Sequence, residues 1–496
     1  MKQLGVLDTA FINLEQTNTP QHIGGLGIYD PSTAPGGFVR FKQVIASFEQ
    51  RLHRLPLFRT RLHEVPGNLD RPYWVVDENF DVEFHLRHIA LPHPGDWRQL
   101  CIQIARLHSR PLDMARPLWE AYIIEGLDNI PELPEGSFAV YTKMHHSLVD
   151  GAGGQSFMAA LHDLEPEPSE SVADEYLGIQ PPLVIDHKPN SGELLFRALV
   201  NQTKNTATMA KGTVNLARDF ARLGYGVIQK TVPLPDIQAP KTRFNQPVGK
   251  HRAFEATTFS VSDFKAIKNA FNVKINDVAL AVVSGAMRRY LQEIGELPEV
   301  SLAAGIPMNM RSRRGENEDN NQVGSVFCKL HTDIDDPVAR LQAIHQSAND
   351  AKEFGEKSPL VDALKLVGVL SPWFAKGGAK LYSSGKISQH MPVNISTVVT
   401  NVPGANFDLY CAGARLVRYH GLGVLTPGVG LFHAVFSFGD AMTISVLADR
   451  EQLDDPMKYR ECLEASFAEL KALADKSSEP PVAKKKTAKR RAAKSS

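Results

Sequence analysis

Two adjacent histidines, His145 and His146, end the run SFAVYTKMHH, and Asp150 and Gly151 follow them before a small-residue stretch. An imidazole is the usual proton acceptor at neutral pH, because its ordinary pKa lies close to working pH. A positioned base of this kind contributes about 10²–10⁴-fold in rate. That suffices for a hydroxyl to attack an activated acyl donor such as a thioester, with no serine or cysteine nucleophile. The chain carries no GxSxG elbow, no Walker loop and no HExxH helix, so hydrolase, nucleotide-hydrolase and metalloprotease readings lose their main support. Neighbouring histidines on a strand point to opposite faces and chelate one ion poorly. A metal site is conceivable only with Asp150 as a third ligand.

The element that must present these histidines reads as a strand. Phe138, Val140, Thr142, Met144 and His146 fall on one face at the two-residue period, and Ala139, Tyr141, Lys143 and His145 on the other. The first face is largely apolar, so the pattern turns His146 inward and leaves His145 as its neighbour. Upstream, a short helical pattern precedes the glycine-rich strand HIGGLGIY, and Phe41–Leu52 has apolar residues at helical spacing. Residues 73–76 and 82–88 read as strands, 96–108 as a helix, and Pro117 and Trp119 launch a strand through Ile124.

Residues 165–190 hold five prolines and little periodicity, the texture of a linker. Ser191–Lys230 reads as one long helix on which Arg197, Lys204, Lys211 and Arg218 recur every seven residues. Residues 192–230 carry six Lys or Arg against two acids, a pattern that suits an anionic bilayer or a solvated linker helix. After a second proline-rich segment, 254–261 reads as a strand and 261–271 as a helix that Ser262 could cap. The next helix opens at Asn276 or Asp277. Residues 301–308, 323–332, 392–402 and 441–448 read as strands, and 457–474 as a closing helix. The simplest description is an α/β (α+β) protein in which a mixed sheet with packed helices occurs twice.

Length and composition agree with two domains. Of 496 residues, 43% are hydrophobic and 22% charged, and the formal net charge is zero. The last thirteen residues hold seven Lys or Arg and no acid, leaving 48 basic against 55 acidic residues in the body. Such a tail suits phosphates or anionic surfaces, or simply solvation. Four scattered cysteines without a CxxC pair fit a reducing cytoplasm, and MKQLGVLDTAF lacks the apolar core of a secretion signal. The expected divisions are 1–190, a linker helix and proline-rich connection over 191–249, 250–475, and a basic tail over 476–496.

His145, His146, Asp150 and Gly151 match the HHxxxDG motif of acyl-CoA-dependent acyltransferases. The chain from Leu4 to about Leu473 resembles one branch, the bacterial wax ester synthase/diacylglycerol acyltransferase family. It does so through LDTAFINLE, the PLW motif at Pro117–Trp119, the ND motif at Asn276 and Asp277, and TNVPG at Thr400–Gly404. The resemblance implies two chloramphenicol-acetyltransferase-like domains with an active-site tunnel between them. It makes His146 the base that deprotonates a fatty alcohol or diacylglycerol hydroxyl, with His145 supporting it and Asp150 and Gly151 fixing the turn. By the same resemblance Pro117, Trp119, Asn276, Asp277, Asn401 and Gly404 shape the substrate site, Trp119 chiefly by packing and Asn276 as an oxyanion donor or a helix cap. Arg311, Arg313 and Arg314 could meet CoA phosphates or form a solvated loop. Acyl-CoA is then a co-substrate, with no bound cofactor and no nucleic-acid partner, and the enzyme works at the inner membrane face or on lipid inclusions. Two other readings fit the same residues: acyl transfer to a non-lipid hydroxyl or amine, and a non-catalytic lipid-surface protein.

Overall fold

The protein is described by a computed structural model covering residues 1–148, 158, 161–167, 188–229, 231–232, 239–309, 323–358, 377–378 and 395–478. Asp150, Gly151, Arg311, Arg313, Arg314 and the basic tail lie outside the described residues. The first half runs β1 (Lys2–Gln3), α1 (Val6–Leu14), β2 (His22–Asp30), α2 (Phe41–Arg51), β3 (Thr60–His63) and β4 (Tyr73–Val76). It continues through α3 (Val82–His85), β5 (Leu86–Ala90), α4 (Trp97–Ser109), β6 (Trp119–Glu125) and β7 (Phe138–His145) to the long helix α5 (Ser191–Ile228). The second half runs β8 (Arg252–Ser260), α6 (Val261–Phe271), α7 (Ile275–Glu293), β9 (Ala303–Asn309), β10 (Val323–Lys329) and α8 (Pro337–Lys357). It ends with β11 (Thr397–Pro403), β12 (Tyr410–Cys411), β13 (Ala414–Leu422), β14 (Leu431–Phe438), β15 (Ala441–Asp449) and α9 (Pro456–Ser478).

Two six-stranded mixed sheets organise these elements, ordered β12-β13-β2-β7-β6-β5 and β10-β9-β11-β14-β15-β8. The predicted mixed α/β architecture is therefore observed. Residues 410–422 belong to the C-terminal half of the sequence but to the N-terminal sheet, because β13 pairs antiparallel with β2 from Arg415–Asp30 to Leu422–Gly24. The halves are thus interlocked by backbone hydrogen bonds. Polar contacts add to this: buried Arg252 donates to the Asn18 carbonyl at 2.6 Å, and the Trp97 indole donates to Glu255 at 2.5 Å.

Local chemistry explains where elements begin. Asp96 accepts the Gln99 amide at 2.7 Å while the Gln99 side chain accepts the Asp96 amide, a reciprocal cap that starts α4. The run expected as one strand over 82–88 is divided: Asp81 accepts the Glu83 amide and winds Val82–His85 into a helical turn, so β5 starts at Leu86. α6 is capped by Ser260, which accepts from the Ser262 amide, and not by Ser262 itself.

The strand that carries the histidines lies inside its sheet and is buried along its whole length. Phe138, Val140 and Met144 enter one apolar cluster, and Ala139 and Tyr141 another on the opposite face. Lys143 is fully buried, its ammonium held 3.2 Å from Glu120 and donating to the carbonyls of Leu107 and Arg110. Its pairing is what makes burial of that charge tolerable.

Candidate active site

Because both faces of β7 are buried, the face count does not separate the two histidines as the sequence pattern suggested. What separates them is the end of the strand. His145 is the last residue of β7 and only 1% exposed, whereas His146 opens a 3-10 turn over His146–Leu148 and is partly accessible. The backbone is fixed on both sides of this break: the His145 amide donates to the Leu118 carbonyl at 2.9 Å, and the His146 amide to Gln21 at 2.8 Å. The PLW segment thereby acts through its backbone. Pro117 is buried, and Trp119 is 2% exposed, donating its indole N–H to the Phe58 carbonyl and stacking on His85 at 4.7 Å. Trp119 is used in packing.

The two imidazoles have opposite surroundings. His145 Nδ1 accepts the Ser147 amide (3.1 Å) and lies 2.7 Å from the Ser147 hydroxyl. Nε2 of His145 faces the Glu15 carboxylate at 3.5 Å. That carboxylate is itself held by the Gln21 amide at 2.5 Å. His146 instead stacks face to face on Phe11, with centroids 4.0 Å apart and planes 15° from parallel. Its Nδ1 is buried and without a hydrogen-bond partner among the described residues. Burial, then the neighbouring His145, lower the His146 pKa to about 4. At neutral pH the ring is therefore uncharged and able to accept a proton.

Phe11 and Glu15 both come from the LDTAFINLE segment, which the sequence marks as a motif without showing its purpose. The signal was present, but its partners lie across the fold at the end of β7. Helix α1 delivers Phe11 from its middle, and the residue just beyond its end delivers Glu15.

The C-terminal motifs form a second group. Asp277 is 2% exposed and accepts the Lys274 amide at 2.8 Å, which caps α7, and His345 Nδ1 at 2.5 Å, which ties α8 to it. His345 Nε2 meets the Asn349 amide at 3.1 Å, and Lys274 donates to Asn349 at 2.5 Å. Asp277 is spent on architecture. Its neighbour Asn276 is partly exposed and accepts from Asn401 at 3.4 Å, so the ND and TNVPG motifs meet. Of the two roles open to Asn276, helix capping falls to Asp277. Gly404 is required by space: a Cβ there would stand 2.1 Å from the Ser437 carbonyl oxygen and 2.6 Å from the Phe436 ring. Phe436, Phe438, Val402 and Ala405 pack in the same cluster as Met144 and Leu148, which flank the histidines. The two motif groups therefore face one shared apolar cluster from opposite sheets. Among the described residues, no group of three or more His, Cys, Asp or Glu is placed to hold a metal ion.

Comparison with known proteins places the chain in a family. The catalytic-domain model of the wax ester synthase/diacylglycerol acyltransferase family matches residues 4–279, and the family's C-terminal-domain model matches 320–471. A Mycobacterium tuberculosis relative named as a diacylglycerol O-acyltransferase is 33% identical over 471 residues, 94% of this chain and 98% of its own. The wax ester synthase/diacylglycerol acyltransferase of Marinobacter aquaeolei VT8 superposes with a TM-score of 0.67 at 27% identity, covering 96% of this chain and 100% of that one. The first condensation domain of the calcium-dependent antibiotic synthetase shares the fold alone, with a TM-score of 0.57 at 11% identity over 95% and 96% of the two chains. With both family models matched in order along a shared two-sheet fold, the chain belongs to the wax ester synthase/diacylglycerol acyltransferase family and is an acyltransferase.

Proposed function

We propose that this enzyme moves a fatty acyl group from acyl-CoA to the hydroxyl of a long-chain alcohol or diacylglycerol, with His146 as general base. The hydroxyl proton passes to His146 as the oxygen attacks the thioester carbonyl carbon. The tetrahedral intermediate then collapses, the C–S bond breaks, and the departing thiolate takes the proton back from the imidazolium. Ester and free CoA leave, and no acyl-enzyme forms. The observation that carries this reading is the state of His146: uncharged at neutral pH and partly accessible at the end of β7. Both substrates partition into lipid, so we place the reaction at a membrane or lipid-inclusion surface.

Incubating the protein with palmitoyl-CoA and either hexadecanol or diacylglycerol, while following free thiol, tests this reading. Acceptor-dependent thiol release with matching ester is expected. Thiol release that neither lipid stimulates would sink the assignment of the acceptor.

A further inference from the structure

Helix α5 is 38 residues long, about 57 Å at 1.5 Å per residue, and several of its large apolar side chains among the described residues are exposed. Asn190 caps its start by accepting the Glu193 amide. Leu194 and Ala198 pack against Val65, Tyr73 and Val75, and Asn201 donates to Asp70 at 2.6 Å. Just beyond its end, the Thr231 carbonyl accepts from Lys357 at 2.9 Å. These contacts fasten the start of the helix along the stripe of Leu194, Ala198 and Asn201, and hold the chain just past its end.

The remainder is divided into two further stripes. At 3.6 residues per turn, Phe196, Leu199, Val214, Phe220, Tyr225 and Ile228 fall within an arc of roughly 140°. They are 68%, 64%, 70%, 41%, 66% and 78% exposed. The adjoining arc of roughly 60° carries Arg197, Lys204, Arg218 and Arg222. Glu193 pairs with Arg197 at 2.9 Å, and Asp219 lies 3.7 Å from both Arg218 and Arg222, but the count over 192–230 still leaves the segment basic by six to two. Exposed apolar side chains in one arc bordered by cations mark an interaction surface. Among the described residues no helix is long and apolar enough to cross a membrane.

We infer that α5 is the surface by which this protein lies on an anionic lipid bilayer, its apolar arc in the acyl boundary and its basic row on the headgroups. Charge complementarity selects this occupant: a second copy would bring the same basic row against itself, whereas phosphate headgroups neutralise it. The inference rests on the proposed lipid chemistry only for why such a surface is useful.

Vesicle flotation tests it without any turnover. The full chain is expected to float with phosphatidylglycerol-containing vesicles and to be released by salt. The variant L199E/V214E/I228E should lose binding by about tenfold or more. The variant R218E/R222E should lose binding to anionic vesicles while keeping its residual binding to phosphatidylcholine. Because these side chains are exposed or charged and none belongs to the apolar cluster that flanks the histidines, both variants should retain thiol release with palmitoyl-CoA and a short soluble alcohol, which also reports that they fold. Flotation of the triple-glutamate variant equal to wild type would overturn the assignment. So would a wild type that ignores vesicles but dimerises through this face, with the triple variant monomeric.

Discussion

Each half of this molecule carries a histidine on, or just past the end of, an inner strand of its sheet, and the two are treated in opposite ways. His433 on β14 is fully buried, with Nδ1 2.8 Å from the Thr397 hydroxyl and Nε2 2.9 Å from the Tyr459 hydroxyl. His146, just past the end of β7, has an aromatic ring on its face and an orphaned Nδ1. Burial lowers both pKa values, to about 3 and about 4. Neutrality is therefore not what marks a base. The two differ in place and in partners: His433 is fully enclosed with both ring nitrogens bonded, whereas His146 sits at a strand end with part of its ring accessible. The motif carboxylate of the C-terminal half, Asp277, follows the pattern of His433, since its bonds are already made.

The common behaviour of the buried histidines gives the largest expected effect. His108, His146, His162, His420 and His433 are all held by burial at about 3 to 4. Between those values and the unfolded value of about 6.5, the unfolded chain binds more protons, so stability is full above about pH 6.5 and falls as pH drops. Each such group contributes at most about 1.4 kcal/mol per pH unit in that window. Urea midpoints measured from pH 8 to 5 should fall steeply, and a flat profile would contradict the burial of these rings.

Replacement separates the two sites. His433→Leu strands the Tyr459 hydroxyl, while the Thr397 hydroxyl keeps the Val398 carbonyl at 3.2 Å, and should cost about 1–3 kcal/mol for one unpaired buried group, with the turnover of the remaining folded enzyme unchanged. Asp277→Ala removes the α7 cap and the partner of His345, and a loss of about 1–3 kcal/mol is expected. Thermal melts give both losses, and a turnover collapse in Asp277→Ala at full stability would move that carboxylate into the chemistry.

Phe11→Ala should act on His146 without unfolding the chain. Among the described residues the titratable groups around this turn are His145 of β7, His22 of β2 and Glu15 beyond α1, and His145 is the one that depresses the His146 pKa alongside burial. Admitting water raises that pKa toward 6.5, so the acid limb of kcat/KM moves to higher pH, and Phe11→Tyr should restore it. An unmoved limb with a lowered melting temperature would make Phe11 mere packing.

The sequence showed most of the local structure and little of what joins it. Strands such as Trp119–Glu125 and Phe138–His145 and the helix from Ser191 were legible, because periodicity is a property of the segment itself. Pairing of β13 with β2 was not, since nothing in residues 414–422 records which distant strand they meet. The face argument for His146 failed for a related reason: a strand covered on both sides has no outward face to compare. Residues 82–88 read as strand because their apolar content outweighed the single capping aspartate that winds the first turn. The histidine motif was plain in the sequence, whereas Phe11 and Glu15 become meaningful only once α1 is folded against the turn.

The most direct measurement compares His146→Ala and His145→Ala for acceptor-dependent thiol release from palmitoyl-CoA, at equal amounts of folded protein. The geometry predicts a fall of about 10²–10⁴-fold for His146→Ala and a smaller one for His145→Ala, whose ring is already committed to Ser147 and faces Glu15. Turnover that survives in His146→Ala, or is lost equally in both, would contradict the account.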